Sequence, residues 1–246
     1  HYASQMLREA LSHTETDDAS GQRHLRSSLE RIHDSLSFRP VMEADLPVGF
    51  PPFTPLHSIE IKTYPTYRLA KADHVPGPRN SAFNSMFNHI KRNKIAMTAP
   101  VQMEYSPDGG VIVEESMSFL YRDRDLGATG VDRQDVRVEV MDVPAAAFVS
   151  TGVRGAMTQR SVLSARERLI EWLGKHADQY EAAGNVRTMG YNSPFVPEQM
   201  KFFEVQIPIR ALNPSNDDDR IKEDGDGTQK ASAVRFERGS ARWKRR

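Results

Sequence analysis

The chain has 246 residues, with 33 Lys and Arg against 33 Asp and Glu. A formal net charge of zero argues against a general nucleic-acid binder, which needs a net basic face. The absence of cysteine excludes disulfides, thiolate metal sites, cysteine nucleophiles and a thiolate-ligated heme.

No run of 18 apolar residues is present, so no transmembrane helix is expected. The compartment stays open, because a cysteine-free chain tolerates either redox state. The chain opens on His1, so a removed leader stays open too.

Residues 1–38 are polar, with Leu25, Leu29, Ile32 and Leu36 at helical spacing. They read as an amphipathic arm lying on the domain, or as a helix for a protein partner. Five prolines from Pro40 to Pro55 give an extended lead-in. Two strands follow, carrying Ile59 and Ile61, then Tyr67 and Leu69, joined by a turn at Pro65. Pro76-Gly77-Pro78 breaks the pattern. A helix then carries Phe83, Met86, Phe87 and Ile90 at i, i+3, i+4 and i+7, with Lys91, Arg92 and Lys94 at its C-terminal end.

From Ile95 to Tyr105 every second residue is apolar, while Thr98, Gln102 and Glu104 point the other way. That predicts a strand, edge or bulged because Pro100 interrupts its donors. Asp108-Gly109-Gly110 signals a hairpin into a strand at Met117–Tyr121. The order then recurs. Val136–Val140 and Ala147–Val149 read as strands, residues 158–176 as a helix, and Val186–Tyr191 and Phe202–Ile209 as two more strands.

Each half therefore reads strand, strand, helix, strand, strand. The expected fold is α+β: a duplicated ββαββ unit forming an antiparallel eight-stranded sheet with two packed helices. After Pro214 six acids fall in 216–227 and seven bases in 228–246, a charge-segregated tail of the kind expected to be disordered.

Lys94-Ile-Ala-Met-Thr-Ala-Pro-Val101 resembles the signature of the SOUL heme-binding family. Met189-Gly-Tyr-Asn-Ser-Pro194 and Phe203-Glu-Val-Gln-Ile207 resemble a second signature in the right order. The resemblance implies that the sheet closes into a distorted barrel and that residues 56–212 form a heme-binding domain. Residues 1–55 would then be arm and lead-in, and 213–246 the tail. It also implies a non-covalent heme or other tetrapyrrole held between the first core helix and the loop before the last strand.

The matching positions are Phe83 and Phe87 on the helix and Tyr191, Phe195, Met200 and Lys201 on the loop. Phe83 and Phe87 read either as core or as a cleft wall. Propionate partners would be Lys91, Arg92, Lys94 and Lys201, though Asn88 stands where relatives often carry a basic residue. Thr63 stands where the vertebrate namesake has its histidine, leaving His89 as a weak candidate axial ligand, with His57 and His74 further off. Glu204 matches a family glutamate, and a structural salt bridge is its expected role. The same architecture serves in small-molecule sensors, where an inward glutamate helps bind cationic ligands.

Catalytic signatures are missing: there is no Gly-x-Ser-x-Gly, no His-Glu-x-x-His, no phosphate loop and no dinucleotide fingerprint. The leading expectation is a non-enzymatic heme buffer or carrier. The alternatives are a sensor or adaptor module for another hydrophobic ligand and, behind it, a heme- or ligand-modifying enzyme.

Overall fold

The computed structural model describes residue 8 and residues 19–73, 81–108 and 111–212. The chain divides after Leu212 into two units. The expected disordered tail, His74 and the Pro76-Gly77-Pro78 break lie outside the described residues.

The elements run α1 (Ala19–Ser37), β1 (Ile59–Tyr64), β2 (Tyr67–Asp73), α2 (Ser81–Arg92), β3 (Val101–Asp108), β4 (Val111–Leu120) and β5 (Gly130–Val131). They continue with β6 (Val138–Val143), β7 (Ala146–Arg154), α3 (Gln159–Lys175), β8 (Tyr180–Ala182), β9 (Arg187–Gly190), a 3₁₀ turn (Glu198–Met200) and β10 (Phe202–Ala211). All ten strands join one antiparallel sheet in the order β1-β7-β10-β9-β3-β4-β2-β6-β5, with β8 also on β10.

Ten strands replace the expected eight, because the short β5 and β8 carry too few residues to show an alternation. The hydrogen-bonded ladder is open at β1 and β5. It is nevertheless strongly curled. Only Pro65 and Thr66 link β1 to β2, which stand first and seventh in the order. In a flat sheet six steps would separate them by roughly 29 Å, whereas three residue steps of chain reach at most about 11 Å. Phe50 closes this approach, edge-on to Tyr64 at 4.9 Å and to Tyr67 at 5.0 Å.

The signature strand starts later than its alternation implies. Residues 95–100 are not strand; a cis peptide joins Ala99 to Pro100, and β3 begins at Val101. Proline, lacking an N–H, falls just before the ladder rather than within it. β3 is interior, flanked by β4 and β9, and its bulge lies between Glu104 and Tyr105.

The helices sit on the outer face. Met86 and Ile90 of α2 pack on Ala70, Ala72, Phe119, Val138 and Val140. Val162, Ala165 and Leu169 of α3 pack on Phe203, Val205 and Ile207. Each such buried Val, Leu, Ile, Met or Phe side chain contributes about 1.5–3 kcal/mol, and each alanine less. Thr158 caps α3: its hydroxyl accepts from Ser161 N at 3.2 Å, while its own N–H donates to Ser161 Oγ at 2.9 Å.

Candidate functional site

On α2 the apolar stripe divides in two. Met86 and Ile90 are buried, while Phe87 is 43% exposed. Phe83 is half-buried: its ring meets Phe119 at 5.1 Å on one side and stacks with Phe87 at 6.0 Å and 10° on the other. A flat aromatic pair thus stands on the outer face of the helix. Lys91 and Lys94 are exposed beyond it. Arg92 turns aside to Asp132, at 2.5 Å.

His89 is buried beneath this face. Its Nδ1 lies 2.6 Å from Asp132 Oδ2 and its Nε2 2.7 Å from the Tyr121 hydroxyl. Both ring nitrogens are engaged, so in this arrangement neither has a lone pair for iron. Burial pushes the Tyr121 hydroxyl up to about 12. Burial also opposes ionisation of Asp132, but hydrogen bonds from His89, the Gln134 N–H and Arg92 outweigh it and hold the carboxyl down at about 2.

The loop before β10 splits as well. Phe195 is 93% exposed, Met200 is exposed and Lys201 half-buried. The loop is tied to the lead-in: Asn192 Nδ2 donates to Val41 O at 2.7 Å, and the N–H and hydroxyl of Ser193 bond the Glu43 carboxylate at 2.6 and 2.9 Å. Tyr191 does not reach an open cleft. It is buried, packed on Phe202, and its hydroxyl donates to Glu204 Oε2 at 2.9 Å. The site residues therefore fall into an α2 group and a loop group, with Tyr191 inside the molecule.

The interior is polar, a feature the alternation left unread. Glu204 Oε1 accepts from Lys62 Nζ at 2.6 Å and from the Thr54 N–H. Oε2 accepts from Gln206 Nε2 at 3.0 Å as well as from Tyr191. Arg187 then donates to Gln206 Oε1 at 2.9 Å, to the Tyr67 hydroxyl at 2.9 Å and to Gln102 Oε1 at 3.2 Å, with its guanidinium 3.4 Å from the Phe148 ring centre. Gln102 passes to Glu104, which also accepts from Lys71 and Ser116 at 3.0 Å each.

Among the buried side-chain nitrogens and oxygens of the described residues, only Ser118 Oγ and Arg187 Nη2 have no hydrogen-bond partner. Burial pulls the Lys62 ammonium down, against the attraction of Glu204, and pushes the Tyr191 hydroxyl well up. Glu204 has the structural salt bridge expected of it, and its counter-charge comes from the chain itself. The signal was present: Lys62, Gln102, Ser116, Ser118, Ser150, Arg187, Glu204 and Gln206 all sit on strand positions turned away from the helices, and all are buried.

Among the described residues no helix is long and apolar enough to cross a membrane. No curated protein matches the chain. Among solved structures it is similar to EcmrR in a DNA complex, at 13% identity and TM-score 0.47 over 62% of this chain and 57% of that one. The EcmrR C-terminal domain alone is covered over 97% of its length, at 13% identity, 62% of this chain and TM-score 0.45. A hydrolase from Listeria innocua is similar at 11% identity and TM-score 0.47, over 64% of this chain and 94% of that one. The model of the SOUL heme-binding protein family matches residues 50–208, a span that includes both sequence signatures, the aromatic pair of α2 and the β9–β10 loop. The chain belongs to the SOUL heme-binding protein family.

Proposed function

We propose that this chain binds heme non-covalently and acts as a buffer or carrier rather than an enzyme. The observation that carries the reading is the stacked Phe83–Phe87 pair, with Phe87 43% exposed on the outer face of α2. A macrocycle needs a flat apolar wall, and an aromatic pair with one ring exposed on a packed helix supplies one. Lys91 and Lys94 stand at the C-terminal end of the same helix as propionate partners. Phe195, Met200 and Lys201 are the loop residues that would fold over the ligand, and Arg92 joins them only by leaving Asp132.

The wall and the cations fit heme; the axial position is less well served, because His89 is committed to Asp132 and Tyr121. When bound, the heme supplies its own iron chemistry, and this chain's residues hold the ring and its carboxylates.

The reading takes residues 56–212 as the binding domain, 1–55 as an arm and lead-in, and 213–246 as a tail. It also takes the domain as a duplicated ββαββ unit curled into a distorted barrel. Exchanging β1, β2, β3 and β4 with β6, β7, β9 and β10 turns the order β1-β7-β10-β9-β3-β4-β2-β6 into its own reverse, which supports the duplication. Titrating the full chain with hemin tests the function. A saturable Soret shift at one equivalent with a five-coordinate spectrum is expected. No saturable shift, or a sharp bis-histidine spectrum lost in His89→Ala, contradicts the reading.

A further inference from the structure

α3, the counterpart of α2 in chain order, carries a second unassigned face. Arg168, Glu171, Trp172 and Lys175 recur at i, i+3, i+4 and i+7, so they form one stripe. Opposite stand Ile59 of β1, His57 just ahead of it and Arg31 of α1. Together they line a cleft of about 340 Å³. That lies at the small end of the ~300–1,000 Å³ typical of ligand pockets.

Three features suit this cleft to a ligand. Cations outnumber acids: Arg31, Arg168 and Lys175 line it with one carboxylate, Glu171, which pairs with Lys175 at the rim at 2.7 Å, while Asp34, near enough to act on His57, pairs with Arg154 at 3.5 Å. Its wall is rigid and aromatic, since Trp172 stacks on His176 at 4.0 Å with Tyr180 at 5.9 Å. Its backbone is held in an unfavourable conformation: His57 has φ 62°, a strain of the kind that persists where surroundings over-determine it and that clusters at functional sites. Arg168 braces that turn, donating to His57 O at 3.3 Å and to Thr151 Oγ1 at 3.2 Å. Burial, and then the Arg168 charge, press the His57 imidazole toward its neutral form.

We propose that this cleft binds a small aromatic anion, its ring against Trp172 and Ile59 and its phosphate or carboxylate held by Arg31, Arg168 and Lys175. The site is separate from the proposed heme face and does not rest on it.

Phenyl phosphate is the probe, on the full chain carrying Trp243→Phe so that Trp172 is the sole tryptophan. A saturable quench of Trp172 fluorescence is expected. Binding should weaken at least tenfold in the rim variants Arg31→Gln and Lys175→Gln, which leave the Arg168 brace intact. Inorganic phosphate should bind at least tenfold more weakly than phenyl phosphate, and phenol should give no saturable change. Phe87→Ala should leave the affinity unchanged. The proposal is overturned if the quench never saturates, if inorganic phosphate or phenol binds as well as phenyl phosphate, if both rim variants bind like the parent, or if Phe87→Ala abolishes the signal.

Discussion

Lys62 and Glu204 form an ion pair 2.6 Å long with 3% and 0% of their side chains exposed, joining β1 to β10 across β7. Two charges this deep are held by each other and by their hydrogen bonds. Lys62→Met should therefore strand the Glu204 carboxylate and cost roughly 3–5 kcal/mol. Replacing both, as Lys62→Met with Glu204→Leu, should recover part of that loss, limited by the Thr54, Tyr191 and Gln206 donors left behind. Urea denaturation measures both. A loss under about 1 kcal/mol in Lys62→Met would mean that the pair is not buried as described.

Asp132 predicts an acid limb. Its folded pKa is depressed from 3.8 to about 2, so its contribution is fully present above pH about 4 and lost as pH falls toward 2. The linkage is worth at most about 2 kcal/mol. Asp132→Asn should destabilise at pH 6 and make little difference at pH 2, with the gap closing between pH 4 and 2. An unchanged gap across that window in paired melts would remove Asp132 as the cause.

Gly152 lets the lead-in approach β7. A Cβ there would meet the carbonyl oxygens of Thr54 and Pro55 and the Phe202 ring. Backbone oxygens cannot rotate away as side chains do, so Gly152→Ala should cost at the upper end of the roughly 1–3 kcal/mol of overpacking. Thermal melts decide it, and a wild-type midpoint would show that the lead-in yields instead.

Much of the element order was legible because most long strands and both packed helices keep a clean period; β4 is the exception, starting at Val111, six residues before the expected Met117, through the mixed run Val-Ile-Val-Glu-Glu-Ser. The alternation of Ile95–Tyr105 misled at its start: a non-strand approach to a strand can alternate as well as the strand does, and only the ladder shows that pairing begins after Pro100. Polar alternate positions such as Gln102 and Glu204 mark a less apolar face, which most antiparallel sheets turn to water. Here the sheet curls, so that face becomes the inside. His89 looked available in sequence, yet its two partners, Tyr121 and Asp132, lie 32 and 43 residues away, beyond any local pattern. The α3 cleft needed Arg31 and His57 brought to Trp172 from distant segments, which spacing alone does not reveal.

The proposed heme site on the outer face of α2 makes opposite demands on two residues three apart. Phe87 is 43% exposed and Ile90 only 4%. Ile90→Ala should lower stability by about 2–5 kcal/mol through lost burial and a residual cavity, while the folded fraction keeps wild-type hemin affinity. Phe87→Ala should cost under about 1 kcal/mol, as surface positions do, and weaken hemin at least tenfold. Hemin titration of Phe87→Ala, beside its melt, is the most direct measurement. The account predicts a near-native melt with weakened binding. A Phe87→Ala chain that binds hemin like the wild type would contradict it.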